Sequence, residues 1–157
     1  MKFYIITAAA IIIADFVVKL LVRLNMQLGA TIPLIDGVFH ITYLRNTGAA
    51  FGIFPGARWI LIALSILIIA GFIYVILARK FEDKWTRFGI AFMLGGAVGN
   101  LIDRLFLGYV VDYLDFRLIN FPVFNIADIF VTVGAGMVIV YTILTSIQEA
   151  RVKKDES

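Results

Sequence analysis

The sequence has no cysteine and a single histidine, His40. The first absence excludes a disulfide framework, a thiolate nucleophile and a thiolate metal site. The second excludes a multi-histidine metal centre and leaves a serine–histidine pair open only through His40. Charge is scarce too: 16% of residues are Asp, Glu, Lys or Arg, against roughly a quarter in ordinary soluble domains. With 62% hydrophobic side chains and a mean hydropathy of +0.98, 157 residues cannot cover themselves with a polar surface, so the chain belongs in a membrane. Basic residues outnumber acidic ones by only 14 to 11 and are scattered. That argues against nucleic acid and fits the basic loops of an inner-membrane protein. One compact domain is expected at this length.

What the chain does have is long apolar runs. Four of them, about 3–24, 58–78, 88–107 and 126–147, approach the roughly 20 residues needed to cross a bilayer. The predicted fold class is an all-α membrane protein of four transmembrane helices. Lys2 followed by an apolar run has the start of a cleavable signal peptide, but no small-x-small site follows and Asp15 interrupts the run. Residues 25–56 are different in kind, punctuated by Gly29, Pro33, Asp36-Gly37, Gly48, Gly52 and Pro55-Gly56. Within them Val38 to Leu44 alternates Phe39, Ile41 and Tyr43 with His40 and Thr42, and reads as a strand after an Asp-Gly turn. Four spans put both termini and the 79–87 loop on one side. Lys2, Arg79, Lys80, Lys84, Arg87, Arg151, Lys153 and Lys154 all fall there, which makes it the cytoplasmic side. Arg23, Arg45, Arg58, Arg104 and Arg117 run against that bias.

Polar residues from separate stretches converge on the other, extracytoplasmic boundary. Asn100, Asp103 and Arg104 share one face near the outer end of the third span, at spacing i, i+3, i+4. Asp112 lies in the connection beyond it, Asp128 in the first turn of the fourth span, Asn46 in the 25–56 segment and Lys19 in the outer half of the first span. Ionisable groups are costly in hydrocarbon, so such a cluster is a functional-site hypothesis. Each residue also has a plainer role. Asn125 and Asp128 suit an N-cap and its N3 partner. Asp15 and Lys19, at i, i+4, can neutralise each other. Asp103 can orient its neighbour Arg104, and Gly95 and Gly99 form a GxxxG of the kind that packs helices closely. Asp112 and Asp115 fall in a loop, although VVDYLDF is apolar for an exposed one. The chemistry left by this composition is a pair of aspartates: two carboxylates held close share a proton, so one activates water while the other polarises a carbonyl. Asp112 and Asp128, where water can reach, are the better candidates.

Four blocks, RNTGAAFG, GNLIDR, VVDYLDF and FPVFNIAD, together resemble those of the lipoprotein signal peptidases, or signal peptidase II. The resemblance covers most of the chain in order. It implies an intramembrane aspartyl dyad at Asp112 and Asp128, which removes the signal peptide of a bacterial prolipoprotein just before its diacylglyceryl-modified cysteine. Asn46, Gly48, Asn100, Asp103, Arg104 and Asn125 would support the dyad or contact substrate, with Asn100 and Arg104 positioning peptide or lipid ester carbonyls. Asp15 and Lys19 match a first-span D-Q-x-x-K block, in which Phe16 here replaces glutamine. The family implies a small extracytoplasmic β-sheet, membrane lipid around the site, sensitivity to globomycin, no metal and no cofactor, and a multi-pass place in the bacterial inner membrane with both termini cytoplasmic. Two other readings stay open. A proton-coupled carrier would have its acids near the midplane in inverted repeats, which are not evident here. A scaffold subunit would use the polar residues only to lock the bundle.

Overall fold

A computed structural model describes residues 2–49, 53–54, 56–78 and 83–155. Residues 50–52 of the RNTGAAFG block, Pro55, and Arg79 and Lys80 of the basic loop lie outside the described residues. Four helices, α1 (Lys2–Asn25), α2 (Arg58–Leu77), α3 (Lys84–Phe106) and α4 (Ile126–Asp155), are each long and apolar enough to cross a membrane. α3 begins ahead of its apolar run because Asp83 caps it, accepting 2.7 Å from the Thr86 amide. α4 continues past its apolar run, carrying the basic tail as helix to Asp155.

α3 is the axis of the bundle. α1, α2 and α4 all pack on it, and small residues set the distances. Gly95 of the GxxxG lies so close to α1 that a Cβ there would stand 2.9 Å from the Ile11 Cβ, and Gly96 meets the Ala127 backbone of α4 more tightly still. α2 is the outlier: Ile62 is its one buried residue among those described. An apolar helix so little covered by protein faces lipid.

At the end where α1 and α3 finish and α2 and α4 start sits an antiparallel sheet in the order β1-β2-β3, made of Thr31–Ile35, Phe39–Asn46 and Val110–Phe116. Gly37 supplies the positive φ (67°) of the Asp-Gly turn between the first two. Pro33 is tolerated because β1 is an edge strand, where a missing N–H goes unnoticed. β3 corrects the reading of residues 110–116 as a loop. VVDYLDF is rich in β-branched and aromatic residues, and it pairs with β2 from Asn46↔Val110 to Phe39↔Phe116 across a bulge. Val111 and Tyr113 are almost fully buried, packing with Tyr43 and with Val22 of α1. Each such side chain contributes on the order of 1.5–3 kcal/mol. That packing fixes β3 to the bundle end and, with it, the position of Asp112.

Candidate active site

β3 delivers Asp112 and the first turn of α4 delivers Asp128 to one cavity of about 440 Å³. Asn46 lines it from the end of β2 and Ala49 from the chain that follows, Asn100 and Arg104 from α3, and Val131, Thr132 and Val133 from α4. An apolar wall, Phe121 to Phe124, comes from the segment before α4. Sequence reading did not single out that wall, although FPVF has the composition of one. α2 contributes no lining residue among those described.

Both carboxylates are held by neutral amides. Asp112 Oδ1 accepts from Asn125 Nδ2 at 2.7 Å and its Oδ2 from Asn46 Nδ2 at 3.0 Å. Asp128 Oδ1 accepts from Asn100 Nδ2 at 2.8 Å and its Oδ2 from the Asn125 backbone N–H at 3.1 Å. The capping role expected of Asn125 and Asp128 is therefore present, since Asn125 Oδ1 in return accepts from the Asp128 N–H at 3.0 Å. It coexists with the pocket role, because the second oxygen of Asp128 is turned to Asn100. Burial pushes the Asp112 carboxyl up to about 6, and the charge of Asp128 adds to the rise against the Asn46 and Asn125 amides. A carboxyl so shifted takes up and releases a proton near neutral pH, as a general acid or base must.

Behind the pair lies a buried ion cluster. Lys19 Nζ stands 2.8 Å from Asp15 Oδ2 and 3.2 Å from Asp103 Oδ2, and donates to Asn100 Oδ1 at 2.8 Å. Each acid of the cluster also grips the backbone beside Asp112 or Asp128. Asp103 Oδ2 accepts from the Val111 N–H at 2.9 Å and Asp15 Oδ1 from the Ala127 N–H at 2.9 Å. Asp103 thus orients β3, which corrects its expected pairing with Arg104. Asn100 is engaged at both ends of its amide, since its Oδ1 also accepts from Asn125 Nδ2 at 3.2 Å. It holds Asp128 from the cavity wall. Arg104 lines the cavity and uses one N–H on the Gly48 carbonyl at 3.1 Å. Gly48 in turn donates its N–H to Asn46 Oδ1 at 2.9 Å, tying the RNTG turn to the residue that holds Asp112.

Phe16 and His40 lie away from both the cavity and the hydrogen bonds around it. Phe16 is half exposed on α1, so the position where the family block has glutamine is an outward, apolar one here. His40 lies on the sheet with Nδ1 3.3 Å from Thr31 Oγ1, in a polar group that also holds Thr42, Asp115 and Arg117. That group had no signal in the sequence beyond Thr42 and His40 sharing a strand face. Among the described residues no three His, Cys, Asp or Glu side chains are grouped to hold a metal.

Comparison with known proteins points one way. The family model described as Signal peptidase (SPase) II matches residues 7–144. A Brevibacillus brevis protein named lipoprotein signal peptidase is 45% identical over 136 residues, 87% of this chain and 91% of that one. A protein of the same name from a Nostoc species is 43% identical over 94% of this chain and 91% of its own. A solved structure described as a bacterial membrane enzyme superposes with a TM-score of 0.89 at 30% identity, covering 93% of this chain and 90% of that one.

Proposed function

The chain belongs to the signal peptidase II family of aspartic proteases, and from that premise we propose that Asp112 and Asp128 cut the signal peptide from diacylglyceryl-modified prolipoproteins, just before the lipidated cysteine. The observation that carries this is the cavity in which two aspartates from β3 and α4 meet, held by amides and, among the described residues, in no ion pair. An arginine or lysine paired to either would pin it as a carboxylate. Neutral donors leave the pair free to share one proton. The ionised member takes a proton from the attacking water as the other hydrogen-bonds to the scissile carbonyl; the proton then passes to the leaving amine.

Asn46, Asn100 and Asn125 set the two carboxyls. Asp15, Lys19 and Asp103 hold the backbones beside them, while Gly48 and Arg104 form the rim that meets substrate. The apolar wall of Phe121 to Phe124 and the lipid-facing flank of α4 suit a substrate that is itself part lipid. The excess of basic residues at the other end of the bundle supports an orientation with the sheet extracytoplasmic, the active site at the outer leaflet boundary of the bacterial inner membrane, and both ends of the chain in the cytoplasm. Globomycin-type cyclic peptides are expected to occupy the same cavity.

The test is a gel-shift cleavage assay in detergent on a diacylglyceryl-modified prolipoprotein. Wild type is expected to cut, and Asp112→Asn and Asp128→Asn to lose at least about a thousandfold in rate while unfolding cooperatively like wild type. Normal cleavage by either variant would overturn the dyad. An inert wild type would overturn the substrate.

A further inference from the structure

Of the five arginines at the sheet end of the bundle, which run against the orientation bias, three have a structural task. Arg58 donates to the Arg104 and Leu105 carbonyls, each at 2.9 Å, and so closes the C-terminus of α3. Arg104 holds Gly48 at the cavity rim. Arg117 Nε lies 2.8 Å from Asp115 Oδ2. Arg23 and Arg45 remain, both exposed and without a carboxylate partner among the described residues.

Tyr109 packs against the buried cluster that holds Tyr43 and Val22, the neighbour of Arg23, and so brings the two arginines to one place. The Arg45 guanidinium stands 4.7 Å from the Tyr109 ring centroid and 5.9 Å from that of Tyr43, and its Nε donates to the Tyr43 hydroxyl at 3.2 Å. Arg23, in the last turn of α1, is near enough for its charge to act on the same Tyr109 hydroxyl as that of Arg45. Alternation along β2 turns Arg45 to the face opposite Asn46, so the pair is separate from the cavity that Asn46 lines. A guanidinium laid over an aromatic face keeps outward N–H donors in a fixed fork, the shape that binds a phosphate. Tyrosine and arginine also mark the lipid–water boundary. Leu24 and Phe106, at 73% and 81% exposure, are apolar residues at the ends of α1 and α3 on this side of the bundle. A ligand that is anionic at one end and apolar below it fits both features.

We propose that Arg23 and Arg45, framed by Tyr43 and Tyr109, hold the phosphate of an anionic phospholipid in the leaflet on the sheet side. This rests on the membrane placement given above, and its readout is lipid retention, so failure of the peptidase reading and failure of this site are seen separately. The experiment is native mass spectrometry with thermal unfolding, in detergent, of wild type, Arg23→Gln, Arg45→Lys and Arg23→Gln/Arg45→Gln, titrated with phosphatidylglycerol, phosphatidylcholine or inorganic phosphate. Wild type is expected to retain phosphatidylglycerol over phosphatidylcholine, the preference falling about fivefold per arginine lost. Arg45→Lys is expected to retain part of it. Arg23→Gln leaves the Arg45–Tyr43 hydrogen bond and the Arg117–Asp115 pair of the sheet in place, and carries the test if the double variant does not fold. Equal retention of the two lipids by wild type, or a preference undiminished in Arg23→Gln, would overturn the site. Stabilisation by inorganic phosphate equal to that by phosphatidylglycerol would overturn the lipid as its ligand.

Discussion

Two pairs of aspartates lie at the sheet end of this molecule, Asp15 with Asp103 and Asp112 with the half-buried Asp128, and they are solved in opposite ways. Asp15 and Asp103 share the ammonium of Lys19 and a backbone N–H each. Asp112 and Asp128 have, among the described residues, amide donors and no ion pair. Charge pairing ties down the first group: its two carboxylates share one ammonium and hold neighbouring backbone. Amide donors leave the second group able to change protonation state. The difference separates carboxylates fixed by a cation from carboxylates fixed by neutral donors, which residue type alone does not do.

The comparison breaks most forcefully at Lys19. Lys19→Met leaves Asp15 and Asp103 buried without their cation and is expected to cost about 3–5 kcal/mol, read as a fall in the thermal midpoint in detergent. The dyad variants are expected to show the reverse pattern, lost cleavage with stability kept. A Lys19→Met protein as stable as wild type would remove the distinction.

Asp112 sharpens it through pH. Its folded value of about 6, against 3.8 ordinarily, means the folded protein binds the proton more tightly than the unfolded chain. The penalty for ionising it is absent below about pH 4, grows between pH 4 and 6, and is complete above. Asp112→Asn never carries that penalty. Its unfolding free energy relative to wild type is therefore expected to rise by up to about 3 kcal/mol from pH 4 to pH 7. A pH-independent difference between the two proteins would show that burial does not hold this carboxyl up. The smallest effect is expected at Arg58, which touches neither group: Arg58→Ala is expected to lower stability by about 1 kcal/mol or less, with cleavage unchanged.

Much was legible in advance. Long apolar runs leave a chain few options in lipid, because every backbone polar group must be satisfied within a helix or a closed sheet, so four spans could be read from composition. The Asp-Gly turn and the alternation after it marked β2. The motif blocks drew attention to Asp112, Asp128, Asn46, Asn100 and Asn125, all of which meet in the cavity or its hydrogen bonds. β1 and β3 were harder. β1 holds a proline, and β3 is a strand only because β2 lies beside it, a partner more than 60 residues away in sequence.

Sequence by itself determined the membrane, the helices and the residue types available for catalysis, since these follow from hydropathy, local pattern and the absence of cysteine. Tertiary structure decided which acid does what. Asp103 could be assigned to Arg104 by adjacency, yet the helix carries it to Lys19 and to the Val111 N–H. Asp128 could be only a cap, until the close approach of α3 and α4 at Gly96 brings Asn100 to its second oxygen. Protonation depends on burial and on the donors within about 3 Å, and those are set by how helices and sheet pack, which no local stretch of the chain specifies.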